Sequence, residues 1–84
     1  MAYKIIFKNS VSKDLKKIDK SIVLEIFEKI NADLSENADK CPMLKGKFAG
    51  LRKFRVGDYR IIFSIIETDR VLILRIAHRK EVYR

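Results

Sequence analysis

The sequence predicts an α+β fold: an N-terminal strand and a two-helix hairpin, followed by an antiparallel β-meander packed on the helices. Three observations carry this. Residues 11–34 place apolar side chains at helical spacing, with lysines and acidic residues between them. The stretch LRKFRVGDYRIIF, Leu51–Phe63, splits into two β-rich runs around Gly57-Asp58, a pair suited to a tight hairpin turn needing a positive φ. After a second turn signal at Thr68-Asp69, Val71–Ala77 (VLILRIA) is almost continuously apolar, as expected for a buried strand.

Taken in order, Ala2–Phe7 reads as the first strand, rich in Tyr, Ile and Phe and bounded by Asn9-Ser10, which suit a helix cap. Val11, Leu15 and Ile18 then share one face of a short helix. Asp19 restarts the pattern as an N-cap. Ile22, Val23, Ile26, Phe27, Ile30 and Leu34 form the apolar stripe of a longer helix, which the polar run Asn37–Lys40 and Pro42 bring to an end. Met43–Gly50 is an irregular basic connection carrying Lys45 and Lys47, and His78–Arg84 a short polar tail.

With 84 residues the chain is expected to form one domain, 1–84, and its 48% apolar and 36% charged composition is that of a compact protein and not a disordered one. A lone cysteine, Cys41, cannot form an intramolecular disulfide, and with a single His no metal site is expected. No segment approaches the roughly 20 apolar residues of a membrane helix, nor does MAYKIIFKN resemble a secretory signal, so a cytoplasmic protein with no membrane contact is expected. The net charge of +8 is unevenly placed. Residues 1–39 balance seven lysines with seven acidic residues; residues 40–84 carry twelve Lys and Arg, including all seven arginines, against four acidic residues. Arginine is the planar, bidentate donor for phosphate, so the asymmetry points to a nucleic acid or phosphate partner.

The two-residue turn sets the hairpin register. With Val56 opposite Tyr59, Arg55 faces Arg60, Phe54 faces Ile61, Lys53 faces Ile62 and Arg52 faces Phe63. Extending the ladder with Glu67 opposite Arg70 sets Ile61, Phe63 and Ile65 against Ile76, Leu74 and Leu72 on the core side, and Ile62 against Arg75 on the other. The far side then gathers Lys53, Arg55, Arg60 and Arg75, with Arg79 continuing the same parity. Like charges directly opposite on a sheet cost about 0.2–1 kcal/mol, so their grouping suggests an anionic ligand more than a solvated face. His78 projects to the core side by the same parity. With Arg79 and Tyr83 it forms a compact group at the end of a strand, where His suits proton transfer near neutral pH and Tyr can donate or accept a hydrogen bond.

The run LKGKFAGLRKFRVGDYRIIFSI, followed by VLILRIAHRKEVYR, resembles the RelE/ParE superfamily of toxins from type II toxin–antitoxin pairs over essentially the whole chain. The R-V-G-D-Y-R hairpin and the terminal H-R-x-E-V-Y carry the likeness, and the latter resembles the RelE branch, whose toxins cut messenger RNA in the ribosomal A site. That resemblance implies a RelE-like domain and a metal-independent endoribonuclease without cofactor, acting by attack of a ribose 2′-OH on the adjacent phosphate. Carried across, the family's functional positions fall on Lys53, Arg60, Arg79 and Tyr83 as catalytic residues. Lys45, Lys47, Arg52, Arg55, Arg75 and His78 are expected to bind RNA. One position departs from the pattern: the best-studied branch has a second Lys where this chain has Leu51. Arg52, Lys45 or Lys47 is the candidate substitute.

The implied partners are mRNA, the ribosome and a cognate RelB-like antitoxin, with acidic residues to meet Arg55, Arg60 and Arg75 and apolar residues to cover Ile62 and Ile73. Two other readings share the scaffold: a ParE-like inhibitor of DNA gyrase, and a non-catalytic RNA-binding module.

Overall fold

The structure, a computed structural model, describes residues 2–82; Tyr83, one of the expected catalytic residues, lies outside that range. Four strands form one sheet in the order β1-β4-β3-β2, where β1 is Lys4–Phe7, β2 Arg52–Val56, β3 Tyr59–Ile66 and β4 Arg70–His78. β2, β3 and β4 form the antiparallel meander, and β1 runs parallel to β4. The fold is the expected α+β arrangement. Two helices, α1 (Val11–Lys16) and α2 (Lys20–Lys29), fill the connection from β1 and cover one side of the sheet.

Asp19 is the N-cap of α2 through its backbone: its carbonyl accepts from the N–H groups of Ile22 and Val23, while its side chain makes no capping bond. The helix does not end at Lys29. It widens into a π turn at Ile30–Leu34, returns to one α-helical turn at Ser35–Asn37, and tightens to a 3₁₀ turn at Ala38–Lys40. Residues four apart drift by about 40° per step around an ideal α-helix, and a wider turn takes that drift back. Ile26, Ile30, Leu34 and Ala38 thus stay in one line and are all buried against the sheet. The carbonyl of Ser35 accepts from the Tyr3 N–H at 2.6 Å, tying the N-terminal residues to this helix.

The sheet answers with Val56, Ile61, Phe63, Val71, Ile73 and Ile76, all buried, and with them the main core closes. Gly57 carries the positive φ (58°) at the first turn position, where a II′ hairpin requires glycine, and the β2–β3 register is the one read from the sequence, pair for pair.

The second hairpin departs from expectation. Its turn has three residues, Glu67-Thr68-Asp69, so Ile66 and not Glu67 faces Arg70, and Glu67 itself takes φ 58°. A bulge between Ile62 and Phe63 restores the projected register toward the other end, where Ile61 meets Ile76, Ile62 meets Arg75 and Arg60 meets Ala77. Leu74 becomes the extra residue. Leu72 and Leu74 therefore leave the core that the projection gave them, while Ile73, expected on the outer side, is completely buried. The three-residue turn shifts parity by one, and the bulge shifts it back.

β1 stops at Phe7, so the edge of β4 beyond Ile73 has no strand beside it. Asp14 of α1 fills the gap: its Oδ2 accepts from the Ile76 N–H at 3.0 Å. The outer side of the sheet is not bare either. The tail turns back at His78, whose carbonyl accepts from the Glu81 and Val82 N–H groups, and Val82 is buried against Ile62 and Ala77. Leu44 and Leu51 complete this second, smaller cluster. Ile62, expected as open apolar surface, is thereby covered; among the described residues the exposed large apolar side chains are Phe7, Leu24 and Met43. No helix among the described residues is long and apolar enough to cross a membrane.

Candidate nucleic-acid interface

The outer side of the meander carries two rows of side chains across its strands. One row runs Lys53, Ile62, Arg75, and the next Arg55, Arg60, Ala77. Directly opposed residues on adjacent strands stand about 4.5–5.5 Å apart at Cβ and diagonal ones roughly 7–8 Å. Four cations therefore ring the apolar floor made by Ile62, Ala77 and Val82. A rigid sheet holds their Cα positions, so concentrating this charge costs no further ordering of the backbone.

Each cation is held differently. Arg60 bends toward the hairpin turn, its Nη1 donating to the carbonyls of Gly57 (3.0 Å) and Tyr59 (3.3 Å). Arg75 donates from Nη2 to the Glu81 carbonyl at 3.2 Å, which fastens the tail to the sheet. Arg79 extends the face by one more position: its N–H donates to the Asp58 carbonyl at 2.8 Å and its guanidinium lies 3.9 Å from the Asp58 carboxylate. Lys53 and Arg55 have no side-chain hydrogen bond or ion pair among the described residues.

Two residues expected to bind RNA lie off this face, on the side that their strand parity projected. Arg52 has the opposite parity and reaches the end of the long helix, where its Nη1 donates to the carbonyls of Asp39 (3.1 Å) and Cys41 (2.9 Å). It acts as a C-terminal cap supplied by a strand. His78 lies on the helix side, its ring edge-on to Tyr59 at 5.6 Å and its Nδ1 accepting from the Lys80 N–H, beside a cavity of about 230 Å³ that Asp14, Lys17 and Glu81 also line. Lys45 and Lys47 are exposed in the connection before β2, which lies along the outer side through Leu44 and Leu51. Lys47 stands 5.3 Å from the centre of the Phe48 ring.

The burial of Val82 had no signal in a tail of charged residues. Nor does any local pattern announce Asp14 as the partner of a strand 62 residues away. Among the described residues no group of His, Cys, Asp and Glu is placed to hold a metal ion.

This topology and basic sheet can be set beside known proteins. The family model of the ParE toxin of type II toxin–antitoxin systems matches residues 5–83. The chain belongs to that family. Toxin RelG of Mycobacterium tuberculosis is 33% identical over 86 residues, spanning 100% of this chain and 99% of the relative. The toxin–antitoxin complex RelBE2 of the same organism contains a chain that superposes with a TM-score of 0.86 at 30% identity, over 94% of this chain and 100% of that one. A mutant of Escherichia coli toxin RelE in the free state shares the fold at a TM-score of 0.75 and 20% identity, over 99% of this chain and 92% of the other. The RelE/ParE superfamily thus accounts for the order of elements from β1 to the end of β4.

Proposed function

We propose that this toxin is a ribosome-dependent endoribonuclease that cuts mRNA in the A site, and that a RelB-like antitoxin silences it. The observation that carries the reading is the group Lys53, Arg55 and Arg60 at adjoining positions of one rigid sheet, with no carboxylate in either row. Such a group suits a phosphodiester whose charge grows during reaction. In the proposed step the ribose 2′-oxygen attacks its own 3′-phosphorus and gives up its proton to Lys53 as base. The bond from phosphorus to the 5′-oxygen breaks, and protonation of that oxygen completes cleavage to a cyclic phosphate and a 5′-hydroxyl. Arg60 and Arg79 stabilise the crowded phosphorus, Arg55 and Arg75 hold the flanking strand, and Tyr83 contacts the reacting ribose. The ribosome contributes by holding the codon in line, which lowers the barrier entropically.

The test is induced expression followed by primer extension on cellular messages. Cuts within codons on translating ribosomes, arising together with growth arrest, are the expected result; arrest with intact messages overturns the reading. A ParE-like inhibition of gyrase is the second reading, favoured by the matching family model and by Leu51 at a position where the RelE branch has Lys. DNA damage without RNA cuts is its signature.

A further inference from the structure

A groove of about 450 Å³ opens at the outer edge of β2, past the point where Met43 bridges to Arg52, between that strand and the end of the long helix. This volume falls in the roughly 300–1,000 Å³ range of small-molecule sites. Phe54 lines it from the helix side of the sheet, together with Pro42 and Asn37, while Lys53, Arg55 and Arg60 line it from the outer side. It therefore wraps around the edge strand and joins an apolar wall to the cations of the outer side. No carboxylate side chain lines it.

We propose that this groove is a nucleotide subsite: it takes the base of the nucleotide adjoining the scissile phosphate, with the ring against Phe54 and Pro42 and the phosphate on Lys53 and Arg55. The proposal rests on the RNA-cleaving reading above and adds to it the element that selects sequence. Aromatic and flat apolar side chains take unstacked bases on their faces, and a cationic rim fixes the phosphate end of the same nucleotide. Hydrogen-bonding capacity is present too. Asn37 donates through Nδ2 to the Asp33 carbonyl at 3.1 Å, which leaves its amide oxygen as an acceptor for a base N–H. Cys41 adds no negative charge, because burial pushes its thiol above the ordinary value and keeps it protonated. The cavity beside His78 offers a contrast: Asp14 and Glu81 line it together with Lys17 and Arg75, so its cations are offset by carboxylates as those of the groove are not.

The test uses the intact protein with four nucleoside 5′-monophosphates, ribose 5-phosphate and inorganic phosphate as probes, read by amide chemical shifts in NMR. At least one nucleotide is expected to move the Asn37, Cys41 and Phe54 amides well beyond the shifts caused by ribose 5-phosphate. Phe54→Leu, which keeps an apolar side chain against the core, and Asn37→Ala, at an exposed position, are expected to weaken that nucleotide at least fivefold and leave phosphate binding at Lys53 unchanged. Nucleotides that move these amides no more than ribose 5-phosphate does overturn the proposal, as does unchanged nucleotide affinity in both variants. So does a groove that responds only to a peptide from a protein partner. Expression of the variants separates the two levels. If the wild type cuts messages and Phe54→Leu cuts the same positions in the same proportions, the selecting role falls while the nuclease reading stands. If the wild type cuts nothing, the nuclease reading falls, and the NMR result alone judges the groove.

Discussion

Strand parity puts the two arginines of β2 on opposite sides of the sheet. Arg52 and Arg55 are three residues apart on the same strand, yet one caps a helix and the other faces solvent opposite Arg60. Their substitutions should move stability in opposite directions. Arg52→Ala removes charged donors from the Asp39 and Cys41 carbonyls and is expected to cost about 1–2 kcal/mol in urea unfolding. Arg55→Gln relieves a like-charge pair and is expected to gain about 0.2–1 kcal/mol while weakening RNA binding, a trade of function for stability. A loss of stability in Arg55→Gln would contradict the assignment of that pair as strained by charge. Arg60→Ala and Arg79→Ala should remove toxicity from proteins that keep their circular dichroism and melting behaviour; a folded Arg60→Ala variant with full RNA cleavage would end its catalytic role. Cys41 sets an alkaline limit. Its folded thiol titrates above the ordinary value, chiefly through burial, with Arg52 lowering it and Asp39 raising it. The unfolded chain therefore loses that proton first as pH rises, and the stability present below the ordinary thiol value declines above it. Cys41→Ser, read by unfolding at successive pH values, should flatten that decline.

Among the elements, β4 depends most on parts distant in sequence. Its edge is covered by β1 only as far as Ile73, and the next outward donor, the Ile76 N–H, is satisfied by Asp14. Asp14→Ala should cost about 1–3 kcal/mol by leaving that donor unpaired, and Asp14→Asn less, since an amide oxygen still accepts. Hydrogen exchange at Ile76 would show it directly; unchanged protection in Asp14→Ala would refute the contact. The tail is an element of the same kind. Val82 holds it on the sheet through Ile62 and Ala77, and Arg75 holds the Glu81 carbonyl. Val82→Ala is expected to lose about 1–2 kcal/mol as a small cavity opens on the outer side.

At the scale of the molecule, charge and shape act together. A +8 chain whose excess lies in its second half should bind RNA with an affinity that falls steeply with added salt. The same surface asks for an acidic, extended partner. Ordering a disordered segment costs several kcal/mol of the gross interaction, so tight neutralisation needs contact around much of the toxin. Bound antitoxin should keep the toxin out of the A site and abolish cleavage. A complex that still cuts RNA on ribosomes with the antitoxin in place would contradict this.

What the sequence by itself determined was local. The two-residue Gly57-Asp58 turn dictated the β2–β3 register, and with it the gathering of Lys53, Arg55 and Arg60, because strand pairing counts outward from a turn in steps of one residue. The helical stripe likewise named Ile26, Ile30 and Leu34 as core. Features that depend on two distant segments were decided only by the tertiary structure. The three-residue turn sets Ile73 and not Leu74 against the core, and the bulge beyond it, which returns Ile76 to the core, was not shown by the turn signal at Thr68-Asp69. The π turn in the long helix, the capture of the Ile76 N–H by Asp14, and the commitment of Arg52 to a helix end are of the same kind. Each satisfies a backbone group or an alignment that exists only once the layers meet.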